Sequence, residues 1–400
     1  MHAPGESMGS LYRVKNLCQG LTSQSHNCYI FTPFHYFEDW GSSVEFMAIP
    51  VISSKKGINL SKFVYRIIRK ILDIKILSNY TLLNPKVLNY IIDRISKRLL
   101  EFLNEIPVHL DVIIGETEIG GLVLTRIKNY LNIPIIVDYQ NYWPEELVEH
   151  KVIKRHSRRY RFLVNLEREV ISRSNFVICI CDAMAEFLRK KFNPKYHGKI
   201  RGLPNGGFPA LDAPKEKILP PKIINSGMVV QRSNFKLFLQ GMQYVLEKYP
   251  NSQIFITRKG EKLKEVMKLA KKMKINVNFY WKDTDIEYLE LLSQCHVGVV
   301  TSANELTRKL GFVAKIYDYF SVGIPVVGND IGGFTKIISK EEVGLLSSNE
   351  PRDLAEKIIK FIENPELAYN CGERGIKLLK GTLSIKESSR KLIEYIEEHI

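Results

Sequence analysis

The sequence predicts an α/β protein built as two doubly wound halves. Three observations carry that prediction. Short apolar runs alternate with helix-periodic segments along most of the chain. The alternation breaks at a polar, Pro-rich stretch, DAPKEKILPPK, and then restarts. The chain has 400 residues, more than the roughly 250–300 at which one core usually divides. Hydrophobic residues make up 45% and charged residues 25%, which excludes a mainly disordered or collagen-like chain.

Residues 3–21 read as a Gly-containing loop entering a helix. Such a loop ordinarily follows a strand, and none precedes it. Either the true start lies upstream of Met1 or the domain lacks its first strand; the former is expected. Cys28–Thr32 (CYIFT) reads as a strand, and Lys62–Leu77 and Val87–Leu103 read as amphipathic helices. Val112–Ile114 is a strand and Ile119–Leu131 a helix. The pairs Ile133–Val137 with Arg158–Ser174, and Phe176–Cys181 with Ala183–Phe192, repeat that order. LPNGGF at Leu203–Phe208 is a turn.

In the second half Lys222–Asn225, Gln253–Thr257, Val277–Tyr280, Val297–Val300 and Ile324–Val327 read as strands. Phe235–Lys248, Leu263–Met273, Ile286–Gln294 and Ala314–Ser321 are the intervening helices, and helices fill the part after Pro351. The expected division is 1–206 and 207–380. Residues 381–400 are expected to form a helix that packs back on the first domain. Ligands of such sheets bind beyond the carboxyl ends of the strands, so the cleft between the halves is the expected site.

The net charge of +15 narrows the partners. Lys55–Lys75 holds seven basic residues and one acid, and Lys151–Arg173 holds eight and two. Nucleic acid, an anionic membrane face or a phosphorylated substrate each fit such clusters. No zinc spacing or aromatic-basic nucleic-acid motif occurs, which argues against nucleic acid. The helix at Lys62–Leu77 alternates apolar and cationic faces, as an interfacial helix does; a solvated helix with one buried face has the same pattern. No apolar run reaches the ~20 residues of a membrane helix. MHAPGESMGS lacks the basic start and apolar core of a signal peptide. The six Cys, at 18, 28, 179, 181, 295 and 371, have no metal or redox spacing. Reduced thiols in a cytoplasmic protein are expected, associated peripherally with the inner face of the cell membrane.

The richest stretch is KIYDYFSVGIPVVGNDIGGF, Lys315–Phe334. Lys315 and Asp318 lie three residues apart and share a helix face. Gly323 ends that helix, a buried strand follows, and Gly328, Gly332 and Gly333 supply tight turns. A phosphate site fits this pattern; so does a surface ion pair worth about 0.3–0.5 kcal/mol.

KIYDYFSVGIPVVGNDIGG resembles the K-L/I-x-E-Y-x-x-x-G-x-P-V-V signature of the group 1 (family 4) glycosyltransferases. LPNGGF resembles their x-P-N-G-x-D segment, VGVVTS at Val297–Ser302 their strand ending in P-S, and EVGLL at Glu342–Leu346 their x-x-G-L-L. NPELAYNCGERG at Asn364–Gly375 and Ile224–Gly241 also match, in order. DYQNYWPE at Asp138–Glu145 resembles the D-x-x-D-x-W-P-E element of members that build sugar polymers.

The resemblance implies the GT-B fold, two Rossmann-like domains facing each other. It implies transfer of a sugar from a nucleoside diphosphate donor with retention at the anomeric carbon. The donor would lie on the second domain. The acceptor, a lipid-linked saccharide or polysaccharide precursor, would lie on the first. No metal or other cofactor is expected. By the same resemblance Lys315 and Arg232 clamp the diphosphate, with Lys236 a second basic candidate and Ile316 beside Lys315 in the signature. Asp318 matches the second acid of E-x7-E and would hold the donor ribose. Leu310 stands where the first acid would be, and Ser233 occupies the usual basic slot, one place after Arg232. The strand of IFITRKG lacks the first Gly of V-G-x-G. Asn141 stands where many members carry His; it would hydrogen-bond the sugar or acceptor rather than act as a base. Glu145 is expected near the sugar, although acids after Trp143-Pro144 are also ordinary helix-start chemistry. Gly9 and Ser10 match a Gly-rich loop near the reacting phosphate, or a plain helix cap by Ser10. Glu116, at a strand's carboxyl end, is an acceptor-side candidate. A GT-B nucleotide-sugar epimerase and a non-catalytic nucleotide-sugar-binding subunit are the alternatives.

Overall fold

The structure is a computed structural model that describes residues 8–32, 44–48, 84–213, 218–281 and 285–398. The helix expected at Lys62–Leu77, the Lys55–Lys75 basic stretch and the residues ahead of Met8 lie outside these. The chain divides into two compact units, Met1–Pro204 with Ser389–Ile400, and Asn205–Ser388.

The first unit begins with α1 (Met8–Thr22), β1 (Cys28–Thr32) and β2 (Val44–Ala48). The long α2 (Pro85–Glu105) is capped by Asn84, whose side chain accepts from the Lys86 amide at 3.0 Å, and has Pro85 in its first turn. Leu88, Ile92 and Leu99 line its buried face. Then come β3 (Ile113–Glu116), α3 (Thr117–Ile127), β4 (Ile135–Tyr139), α4 (Trp143–Glu149), α5 (Arg158–Arg173), β5 (Phe176–Cys179), α6 (Asp182–Lys191) and β6 (Ile200–Gly202). Every residue of β4 and β5 is buried, as expected of parallel strands covered on both faces.

β3, β4, β5 and β6 form one parallel sheet in that order, with Ile114 opposite Ile136 and Val137 opposite Val177. β1 and β2 pair parallel with each other as a separate sheet. No described ladder joins β1 to β3.

Leu17, Ile136, Phe176, Ile178, Leu203 and Leu392 pack as one apolar cluster. Leu392 comes from α15 (Ile385–Glu397), the last of the described helices, and Tyr395 sets its ring 5.5 Å from Phe176. Arg13 of α1 is fully buried; its Nε donates to Asp138 at 2.6 Å and its Nη1 to the Leu203 carbonyl at 2.7 Å.

The second unit carries β7 (Lys222–Met228), α7 (Phe235–Lys248), β8 (Gln253–Arg258), α8 (Leu263–Lys272), β9 (Val277–Phe279), α9 (Asp285–Gln294) and β10 (Val297–Val300). α10 (Leu306–Leu310), α11 (Lys315–Ser321), β11 (Val326–Asn329), α12 (Thr335–Lys340), β12 (Gly344–Ser347), α13 (Pro351–Glu363) and α14 (Pro365–Lys380) follow. The sheet runs β9-β8-β7-β10-β11-β12, all parallel. This is the 3-2-1-4-5-6 order, with its switch point between β7 and β10. β11 starts two residues later than the apolar run suggests. Gly323 turns the chain out of α11 at φ 63°, and Pro325 has no N–H for a ladder.

Candidate functional site

The switch point of the second unit is lined by side chains that fix one another. Asn225 of β7 is fully buried. Its Nδ2 donates to Thr301 Oγ1 at 3.3 Å, and Thr301 Oγ1 donates to the Ser233 carbonyl at 2.8 Å. That orients the Asn225 Oδ1 to accept from the Gly227 amide at 3.2 Å and from Lys315 Nζ at 2.7 Å. Lys315 opens α11 and is 8% exposed. A Cβ on Gly227 would stand 2.6 Å from its Nζ, so a glycine is needed there for the ammonium to approach the backbone. Burial holds the Lys315 pKa well below its usual value, and the nearby Arg308 and Arg258 push the same way. Asp318, one turn on, opposes them. It accepts from Tyr288 Oη at 3.0 Å and lies 3.7 Å from an Arg258 guanidinium nitrogen. Arg258 also rests 5.6 Å over the Tyr288 ring. A desolvated ammonium near two guanidinium groups is a place where a polyanion relieves repulsion and favours the charged form of the lysine.

In the first unit the corresponding strand ends hold a network of carboxyl groups. Glu116 ends β3 and accepts from Gln140 Nε2 at 3.2 Å. Tyr139, the last residue of β4, donates to Glu167 Oε2 at 2.5 Å. Glu145 in α4 is 3% exposed; Tyr160 Oη donates to its Oε1 at 2.6 Å and Arg155 Nη2 to its Oε2 at 2.5 Å. Asn141 lies half-buried in the link between β4 and α4.

The sequence matches two family models. "Glycosyltransferase Family 4" covers residues 9–206 and "Glycosyl transferases group 1" covers 212–378, so that together they span nearly all of the chain. The chain belongs to the group 1 (family 4) glycosyltransferases. A 95-residue stretch is 33% identical to an uncharacterized glycosyltransferase of Methanocaldococcus jannaschii, spanning 24% of this chain and 26% of that relative's length. Among solved structures, sucrose-phosphate synthase of Thermosynechococcus elongatus superposes with a TM-score of 0.68 at 16% identity, over 96% of this chain and 92% of that one. WaaG, a glycosyltransferase involved in lipopolysaccharide biosynthesis, gives 0.63 at 14% identity over 97% and 96%. Anabaena HepE in complex with UDP-glucose gives 0.67 at 13% over 99% and 98%. These likenesses establish the GT-B fold.

Within this glycosyltransferase the sequence-derived candidates separate. Lys315 and Asp318 share the switch-point site, and the buried Lys315 is no surface ion pair. Arg232 lies half-buried in the turn Gln231–Ser233 between β7 and α7, and its carbonyl accepts from the Ala303 amide at 3.0 Å, beside the end of β10. Lys236 is exposed in the first turn of α7. Ile316 leaves the list of ligand contacts: its side chain is fully buried in the apolar core and its amide is bonded to the Val313 carbonyl. Gly9 and Ser10 fall inside the first turn of α1 rather than in a loop before it, so Ser10 is not its cap. Glu145 has both oxygens engaged by its own unit. Asn225, Gly227, Tyr288, Arg258 and Arg308 were not singled out from sequence. The one trace was the departure at IFITRKG, where Arg258 stands at the end of β8.

Proposed function

We propose that this glycosyltransferase binds a nucleoside diphosphate sugar at the carboxyl ends of β7 and β10 and transfers the sugar with retention to a saccharide hydroxyl. The observation that carries the reading is Lys315, a buried ammonium held on Asn225 at the switch point among Arg258, Arg308 and Asp318. Anabaena HepE was solved with UDP, with UDP and glucose, and with UDP-glucose, which supports such a donor here.

In this reading Lys315 and Arg232 face the diphosphate, with Lys236 at its margin, and Asp318 accepts from the ribose hydroxyls. The bond from C1 to the diphosphate oxygen breaks, and the diphosphate leaves with the electron pair. The acceptor oxygen bonds to C1 on the same face and gives its proton to the departing phosphate oxygen. The cations stabilise the charge that develops on the leaving group, so no metal enters the proposed chemistry. Asn141 hydrogen-bonds sugar or acceptor from the first unit, and Glu145 fixes the segment that carries it.

The acceptor in this reading is a lipid-linked saccharide. Lys151, Lys154, Arg155, Arg158, Arg159, Arg161 and Arg168 are all exposed, as docking on an anionic membrane surface requires. No described helix is long and apolar enough to cross a membrane.

Thermal-shift titration with nucleoside diphosphates tests the donor site. A ligand at 100 times its Kd stabilises the folded state by about 2.7 kcal/mol. No shift with any of them overturns the reading. Co-sedimentation with anionic vesicles at low salt, lost at high salt, tests the surface.

A further inference from the structure

The ladder between β10 and β11 ends where Val300 pairs with Gly328. One residue further, the Asn329 backbone pairs with Ser347 of β12, and its side chain turns to the chain leaving β10. Asn329 Oδ1 accepts from the Ser302 amide at 2.8 Å, and Asn329 Nδ2 donates to the Ser302 carbonyl at 2.8 Å. A side-chain amide offers a donor and an acceptor side by side, so it meets both backbone groups of one residue as a neighbouring strand would. The other Nδ2 hydrogen goes to Asn349 Oδ1 at 2.6 Å. Asn329 is fully buried and Ser302 is 1% exposed, where an unmet backbone group costs free energy.

Ser302 lies between the two residues that hold the cations of the site. Ahead of it, Thr301 Oγ1 accepts from Asn225 Nδ2 at 3.3 Å and donates to the Ser233 carbonyl at 2.8 Å. Asn225 in turn accepts from Lys315 Nζ at 2.7 Å. After it, the Ala303 amide donates to the Arg232 carbonyl at 3.0 Å. One clamp on Ser302 therefore fixes three consecutive residues, and through them Lys315 and the turn that carries Arg232.

We propose that Asn329 is a positioning residue for the donor: by clamping Ser302 it presets Lys315 and Arg232 at the spacing a diphosphate needs. It acts only through its neighbours, since its side chain is buried and its hydrogen bonds are taken. A site set before the ligand arrives avoids the ordering cost of assembling it on binding. The proposal rests on the reading that the donor diphosphate meets those two cations.

The test uses the whole protein with UDP and with inorganic pyrophosphate. N329A is expected to weaken both about tenfold by calorimetry. In the same variant the Ser302 and Ala303 amides are expected to exchange hydrogen about tenfold faster, beyond any change at the Gly298 amide, which donates to the Pro325 carbonyl. V245A trims the fully buried apolar core under α7 instead. It is expected to lower the melting temperature and to keep both Kd values. T301V breaks the next link, so its loss and that of N329A should overlap; the double variant is expected to bind UDP within about twofold of the weaker single one. Asn349 is exposed, and N349A, which frees the Asn329 amide, carries the same test with about a threefold loss if N329A does not fold. Kd values or amide exchange unchanged from wild type, a loss in V245A equal to that in N329A, or a double variant at the product of the single effects overturns the proposal. Wild type that binds neither UDP nor pyrophosphate overturns the donor reading itself, and wild type that binds both beside an N329A that binds them equally well overturns only the role of Asn329.

Discussion

Replacing Lys315 by Met separates ligand binding from stability. Methionine matches the length of the lysine stem and removes the ammonium. The Asn225 Oδ1 it leaves still accepts from the Gly227 amide at 3.2 Å, so no buried acceptor is stranded. A charge-assisted hydrogen bond contributes about 1.5–3 kcal/mol. At about 1.4 kcal/mol per decade, the Kd for a nucleoside diphosphate is expected to rise about 10- to 150-fold. The folded protein should lose nothing. Desolvation holds the Lys315 pKa below its unfolded value of 10.5, so folding disfavours its charged form. That penalty is full below the folded-state pKa and fades as pH rises from there toward 10.5. K315M is expected to melt at or above the wild-type temperature near neutral pH and to lack the alkaline gain. An anion bound beside Lys315 pushes its pKa back up, opposite to the effect of burial. A Kd within about threefold of wild type, or a melting temperature well below it, refutes the reasoning.

G227A places a Cβ 2.6 Å from Lys315 Nζ and 3.3 Å from Asn225 Oδ1; the flexible lysine tip yields, so the fold should survive while nucleoside diphosphate affinity drops about tenfold by calorimetry. D318N removes the carboxylate held by Tyr288 and Arg258; binding of a nucleoside diphosphate should weaken by about 1–2 kcal/mol, with inorganic pyrophosphate unaffected. R13M strands the buried Asp138 and should cost the first unit about 3–5 kcal/mol in urea unfolding, most of it recovered in R13M/D138L.

Elements whose apolar period is strong were legible in the sequence. Phe235–Lys248 and Val297–Val300 have the bounds the pattern implies. The short β2, β6, α10 and α12 were not, because three to six residues carry too little period. At the site, Lys315 and Asp318 were legible through one contiguous signature. Asn225, Arg258 and Tyr288 were not, because three separate elements bring them together and each alone looks like an ordinary strand or helix residue. Ile316 was misplaced for the converse reason: adjacency in a motif says nothing about which face of a helix a side chain takes.

The first unit is discontinuous in the chain, closed by Ser389–Ile400. During synthesis residues 1–204 emerge before the second unit, yet Leu392 and Tyr395, which pack with Leu203 and Phe176, emerge after it. The second unit has all its own strands before those residues leave the ribosome. The first unit is therefore begun before the second and completed after it, and its apolar face stays open to aggregation in between. Cutting the gene after Pro204 would make that transient exposure permanent. Isolating the first unit therefore calls for a direct join from 204 to the terminal helix.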